Sequence, residues 1–242
     1  MSLLLGRELR LPPELLKVLG EGALFHDLGK LRVPDTVLRN PHRNRHEEEF
    51  YRLHTIYGAE MAREMGVMPA PVREIIELHH ETADGKGFPR GLAGDKIPLL
   101  ARIVGIANRY DNLCNPLSRA DSITPAEALA RMFREEASMW DLRMLQQFVR
   151  MLGVYPPGSL VQLSNGNVGL VVSVNHADLL RPSVMVFDPT VPKSDALVID
   201  LAEEPEVQID IAIKARELEP AALDYLSPRR RMSYFGSNQP KQ

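Results

Sequence analysis

Imidazole and carboxylate side chains recur together in the first third of this chain. Six of the seven histidines fall between His26 and His80. They include His26-Asp27-Leu28-Gly29-Lys30, a lone His54, and His79-His80-Glu81. Neutral imidazole and carboxylate are the ligand set of first-row divalent metals such as Fe, Mn, Ni or Zn. Such a cluster held on helices points to metal-assisted hydrolysis. Two metals a few ångströms apart suit a phosphodiester, because they activate water, neutralise the non-bridging oxygens and hold attacking and leaving oxygens in line. Lys30, one turn after His26, can steady a phosphate oxygen as a point charge or offset developing negative charge.

For these groups to meet, the chain must leave and return between them. Asp27 to His54 is 27 residues, His54 to His79 is 25, and His80 to Asn108 is 28. Each step is long enough for helical turns out and back, and metal sites are commonly built in the core of a helical bundle. On one continuous helix, His26 and Asp27 point about 100° apart, so Asp27 can bridge two ions while His26 holds one. A His-Asp dipeptide alone says little, and His54 alone fits a satisfied core histidine. Glu81 fits a group that orients a neighbouring histidine, and His42 and His46, in a polar run, read as surface residues. The joint occurrence of the blocks, with Lys30, carries the metal reading.

The elements that must position these residues read as helices first and strands afterwards. Pro12 and Pro13 open a helix over residues 14–28, with Leu15, Leu16, Val18, Leu19, Ala23 and Leu24 at helical intervals. Residues 47–65 predict a second helix, weakened at Gly58. Pro71 starts a third that ends at the double histidine. Residues 82–98 form a loop with four glycines and two prolines, and residues 99–113 are helical again. Thr124-Pro125-Ala126-Glu127 makes a capping box, and a helix from about Asp141 is closed by Gly153. After Tyr155-Pro156-Pro157-Gly158 the period changes to alternation. Five short strands follow, at 159–163, 168–174, 183–187, 196–201 and 207–213, with Asn165-Gly166 as a two-residue hairpin turn between the first two. A short helix follows Pro220, and Arg229, Arg230 and Arg231 read as a solvated terminus. The fold class is therefore mainly α: a helical domain over residues 1–153, a small antiparallel β domain over 154–219, and a short helix and tail over 220–242.

Composition narrows the function classes. With 44% hydrophobic and 25% charged residues and a formal net charge of -3, the chain lacks the basic excess of a general nucleic-acid or anionic-membrane binder. A small phosphate ligand remains compatible, since bound metal supplies positive charge locally. The single cysteine, Cys114, excludes an internal disulfide and fits a reducing compartment. No apolar run approaches a membrane span. The expected location is the cytoplasm.

Taken together, Gly22-Ala23-Leu24-Phe25-His26-Asp27-Leu28-Gly29-Lys30, His54 with Gly58, His79-His80-Glu81 and Asp84-Gly85-Lys86-Gly87-Phe88-Pro89 resemble the HD-GYP family. It is a branch of the HD superfamily of metal-dependent phosphohydrolases, and the likeness covers roughly residues 7–152. The resemblance implies an HD-type helical bundle with a two- or three-metal centre, usually iron or manganese, that hydrolyses cyclic di-GMP to linear pGpG or on to GMP. By the same likeness His26, Asp27, His54, His79 and His80 are metal ligands, and Lys30 with Asp27 is catalytic. Gly87, Phe88 and Pro89 form the signature loop, with Phe88 where the family has Tyr. That loop is also linked in related proteins to docking on GGDEF-type cyclases.

Three departures bear on activity. The family carries a further ligand, His or Glu, on a helix upstream of His26, whereas no His or Asp precedes His26 here. Asn108, in Ile106-Ala107-Asn108-Arg109-Tyr110-Asp111, stands where the family has an acidic ligand, and an amide is a neutral, weaker donor. The family's basic phosphate-contacting segment is Asn115-Pro116-Leu117-Ser118-Arg119, which leaves Arg119 alone to serve. The expectation is one ion held well by Asp27, His54, His79 and His80, and a second held weakly by His26, Asp27 and Asn108. The leading function is a cyclic di-GMP phosphodiesterase. The alternative is a degenerate module of the same family that binds dinucleotide or a protein partner without turnover.

Overall fold

The computed structural model describes residues 1–227, which divide into two compact units. The first comprises Met1–Asn112, Pro116–Asp121 and Arg131–Met151; the second gathers Leu113–Asn115, Ser122–Ala130 and the chain from Leu152.

The first unit is helical. It opens with α1 (Ser2–Glu8) and α2 (Pro13–Phe25), and the proline in the first turn of α2 loses no hydrogen bond there. After α2 the chain does not continue as helix to residue 28. His26 and Asp27 form a turn, and Leu28–Arg32 is a 3-10 turn. The residues are thus not presented from one continuous helix; they stand where the helix ends.

A four-residue helix, α3 (Asp35–Leu38), precedes α4 (Arg45–Arg52) and α5 (His54–Glu64). The expected single helix over 47–65 is broken at Leu53, immediately before His54, and Gly58 lies inside α5. It also begins earlier than expected, because Asn44 and Glu47 make a reciprocal capping box.

Next come α6 (Ala70–Leu78), with Pro71 in its first turn, and α7 (Leu99–Cys114). Ala62, Met68, Val72 and Ile76 form a buried cluster, joined by Val18, Phe25 and Leu28. That cluster ties α2, α5 and α6 together. Leu78, Ile97 and Ala101 form a second cluster, and Tyr110 meets Phe148 edge to face at 5.4 Å. Phe148 lies on α9 (Leu142–Leu152), whose first turn is capped by Asp141 through the Arg143 and Met144 amides. In chain order α8 (Pro125–Arg134) comes between α7 and α9, with its first residues in the second unit, and the expected capping box at its start forms, with Thr124 N–H on Glu127 and Glu127 N–H on Thr124.

The second unit is built on a five-stranded antiparallel sheet of β1 (Leu160–Leu163), β2 (Val168–Ser173), β3 (Ser183–Val186), β4 (Val198–Asp200) and β5 (Ile209–Ile213). Their order is β4-β3-β2-β1-β5, a meander whose last strand returns to the free side of β1. Alternation splits the side chains between two cores. Val161, Leu163, Val171, Val184, Val186 and Leu201 fill one; Leu160, Tyr225 and Leu226 anchor the other, the last two from α10 (Pro220–Leu226). The β1–β2 connection is not a two-residue turn. Gly166 N–H bonds to the Leu163 carbonyl, only Gly166 has positive φ (85°), and Leu163 N–H reaches Asn167, the three-residue loop in which glycine takes the left-handed position.

Among the described residues no helix is long and apolar enough to cross a membrane. The three arginines at 229–231 lie outside the described residues.

Candidate metal centre

Each side chain of the site stands at a helix end. His26 and Asp27 leave the C-terminus of α2, His54 is the first residue of α5, and His79 and His80 follow the last turn of α6. The C-termini of α2 and α6 carry the negative ends of helix dipoles, which favours a cation between them. Asp27 Oδ1 lies 3.6 Å from His54 Nε2 and 4.0 Å from His79 Nε2. With His80, one ligand atom from each of these four residues lies within 4.8 Å of the others. Among the described residues this is the one group of His, Cys, Asp or Glu side chains so placed.

The ring orientations follow from local bonds. Nδ1 of His26, His54 and His79 donates to the carbonyl three residues earlier, of Ala23 at 2.8 Å, Tyr51 at 2.7 Å and Ile76 at 2.9 Å. A carbonyl only accepts, so the proton sits on Nδ1 and the Nε2 lone pair is left for a ligand. Asp27 Oδ1 and the Nε2 atoms of His54, His79 and His80 are buried without a hydrogen-bond partner. An orphaned buried polar atom costs about 1–3 kcal/mol. Four such atoms, three of them acceptors by the bonds above, fit a divalent cation, which satisfies all of them at once.

Electrostatics agree with the geometry. Burial holds the His54, His79 and His80 imidazoles below the ordinary histidine range, His79 down to about 3, and neighbouring imidazoles add to the effect. All three are therefore neutral, the ligating form, at neutral pH. A stability consequence follows for metal-free protein. Below pH 6.5 the unfolded chain takes up protons that the folded site refuses, so stability falls as pH drops from about 6.5 toward 3. Each fully refused proton costs about 1.4 kcal/mol per pH unit. Thermal melting from pH 7.5 to 4.5 is expected to show this slope, and His79→Asn to flatten it.

The second oxygen of Asp27 faces elsewhere. Oδ2 accepts from Lys30 Nζ at 2.5 Å and lies 3.4 Å from His26 Nε2. Burial opposes ionisation of Asp27, but His26 and Lys30 outweigh it and hold the carboxyl below its usual range. Burial likewise opposes the charge on Lys30, and Asp27 and Tyr51 hold the ammonium above its usual range. Asp27 thus spans two sets of partners, and does so from a turn rather than from a continuous helix. Its approach to His54 depends on Gly29. A methyl group there would fall well under 3.0 Å from the His54 carbonyl oxygen and the Gly58 nitrogen, so only glycine lets the 3-10 turn lie against α5.

On the other side Phe88 stacks on His80, with ring centroids 4.5 Å apart at 18°. Gly87 makes this possible, since a side chain there would collide with the backbone of residues 80–82. Pro89 follows through a cis peptide bond. The sequence did not indicate what Glu81 does. It is buried and, among the described residues, bonds to no histidine; its carboxylate accepts the Arg90 and Leu92 amides at 2.6 and 2.8 Å, closing the loop that carries Phe88. Glu81→Ala orphans both amides and is expected to cost about 2–4 kcal/mol, read as a loss in denaturant midpoint with an unchanged slope. Tyr51 was also missed. Its ring is 4.9 Å from that of His54, with the Arg43 guanidinium 3.9 Å above it.

A cavity of about 560 Å³ opens beside His79 and His80, walled by Phe88, Asn108, Arg109 and Trp140. Asn108 lines it, but its side-chain oxygen accepts from Asn112 at 2.9 Å. Arg109 is committed to Glu136 through two bonds, of 2.9 and 2.5 Å. Arg119 opens a short 3-10 turn, and its side chain lies outside the described residues. His42 and His46 are exposed, away from the cluster.

The sequence and fold are similar to those of known proteins. The HD domain pattern matches residues 1–143, and a KOW domain associated with HD domains matches residues 160–221. A cyclic di-GMP phosphodiesterase of Pseudomonas aeruginosa is 36% identical over 188 residues, covering 77% of this chain and 45% of that protein. The cyclic di-GMP phosphodiesterase response regulator RpfG of Xanthomonas campestris is 32% identical over 149 residues, covering 61% and 39%. The chain therefore spans less than half the length of these relatives. Among solved structures, Bd1817, an HDG"Y"P protein from Bdellovibrio bacteriovorus, superposes with a TM-score of 0.52 at 26% identity, covering 60% of this chain and 47% of that one.

Proposed function

This chain belongs to the HD domain family, in its HD-GYP branch, and from that membership we propose that it hydrolyses cyclic di-GMP to linear pGpG. The observation that carries the reading is the set of four orphaned polar atoms, Asp27 Oδ1 and Nε2 of His54, His79 and His80, gathered beside a cavity of about 560 Å³.

A divalent ion held by these four residues would supply Lewis acidity and an activated water. Iron or manganese suits a set of three imidazoles and one carboxylate better than magnesium or calcium, which favour all-oxygen sites. Asp27 keeps Oδ1 toward this position while Oδ2 engages Lys30 and faces His26. Lys30 offsets negative charge that grows on the phosphoryl oxygens as water oxygen bonds to phosphorus and the bond from phosphorus to the 3′ oxygen breaks. The freed 3′ oxygen takes up a proton and the ring opens. Phe88, flat on His80, shields that imidazole from bulk water. A second ion on His26, Asp27 and Asn108 would be held more weakly, because the amide is neutral and its oxygen is engaged by Asn112. We assign the chemistry to residues 1–153 and place it in the cytoplasm, consistent with a single buried cysteine.

The amide at Asn108 also favours a second reading, a module that binds the dinucleotide without turnover. Anaerobic incubation of manganese- or iron-loaded protein with cyclic di-GMP separates the two. Appearance of pGpG supports the phosphodiesterase; binding without product supports the module.

A further inference from the structure

Cyclic di-GMP carries two phosphodiesters, and a single metal centre engages one. The described lining of the cavity holds three cationic side chains: Arg52, Lys86 and Arg109. The charge of Arg109 is taken up by Glu136, whose side chain is 9% exposed. Lys86 is 85% exposed on the loop and paired with Asp84 at 4.0 Å, so it is heavily solvated. Arg52 differs from both. Among the described residues its guanidinium makes one hydrogen bond, from Nε to Glu48 at 3.2 Å. That is an exposed pair one helical turn apart, of a kind that contributes little. The guanidinium lies 5.0 Å from the centre of the Phe88 ring, and Phe88 in turn stacks on His80.

Resting on the cyclic-dinucleotide reading above, we infer that Arg52 binds the second, non-reacting phosphodiester of the substrate. A guanidinium over an aromatic face keeps its planar N–H edge free for two parallel bonds to a phosphate. Its place one aromatic ring away from a metal-ligating histidine sets the distance between the two anionic subsites. Arg52 also stands two residues before His54 and at the end of α4, so the turn at Leu53 that delivers His54 to the centre also sets the reach of Arg52. The residue selects for dianionic dinucleotides over esters with one phosphate and positions the reacting diester; it takes no part in bond breaking.

The test is calorimetric titration of metal-free protein with cyclic di-GMP, where metal-dependent turnover does not interfere. Arg52→Gln is expected to weaken binding by about tenfold or more and Arg52→Lys by less, because charge is retained without the fork. With GMP, which has a single phosphate, the loss in Arg52→Gln is expected to be smaller than with the cyclic dinucleotide. In metal-loaded protein the same substitution is expected to raise KM rather than lower kcat. Equal affinity of wild type and Arg52→Gln, equal losses for both ligands, or no binding by wild type overturns the assignment. Binding that depends on Arg52 in a protein that forms no pGpG preserves it and refutes the phosphodiesterase reading instead.

Discussion

Asp27→Ala is expected to strip the protein of tightly held metal and to lower cyclic di-GMP turnover by on the order of a thousandfold. Asp27 supplies the one carboxylate in the four-residue group, and its removal leaves three neutral imidazoles to face a dication. It also frees Lys30 from its 2.5 Å contact, so the ammonium loses the partner that fixes its position. The loss should be chemical rather than structural, since the side chain is about one-third exposed and belongs to none of the apolar clusters of the described residues. Metal analysis and melting of the same preparation check this: metal below a tenth of an equivalent with a retained cooperative transition is the expected pair. His42→Ala and His46→Ala, which alter exposed histidines of α4 and the segment before it, are expected to leave both quantities unchanged. Full metal retention by Asp27→Ala would remove the carboxylate from the account.

Gly29→Ala is expected to be the most damaging single methyl group in the helical unit. The added carbon would meet backbone atoms of His54 and Gly58, which cannot rotate away as a side chain can. Overpacking against backbone costs about 3 kcal/mol or more, a melting decrease of about 6–12 °C for a chain of this size. Because the 3-10 turn must retreat, Asp27 Oδ1 should draw back from His54, and metal affinity should fall with stability. Gly66→Ala gives the contrast. Gly66 has a φ of 70° but nothing near its missing side chain, so the cost there is backbone strain alone, about 1 kcal/mol, with metal content untouched. Equal effects at the two sites would mean that the approach of the turn to α5 is not what Gly29 secures.

Most of the helices and all five strands were legible because their signals are local. The Thr124 capping box forms as its residues imply, and the alternation after residue 158 becomes strands with two buried faces. The Asn44 to Glu47 box was equally local and was overlooked; its Asn-x-x-Glu spacing marks the true start of α4. Candidate ligands could be named from residue type, but how they are presented could not. Periodicity through Phe25 continues smoothly into His26 and Asp27, yet the chain leaves the helix there, because Gly29 must meet α5, a contact between segments about 25 residues apart in sequence. Glu81 was hidden for the same reason. Its adjacency to His80 suggested service to a histidine, whereas its partners are amides nine and eleven residues further along.

The most direct measurement is a crystal structure of protein loaded anaerobically with manganese, with anomalous scattering recorded at the manganese edge. The account predicts a strong peak within bonding distance of Asp27 Oδ1 and of Nε2 in His54, His79 and His80, with any weaker second peak toward His26. A fully loaded crystal with no peak among those four atoms, or with its strongest peak elsewhere, would contradict it.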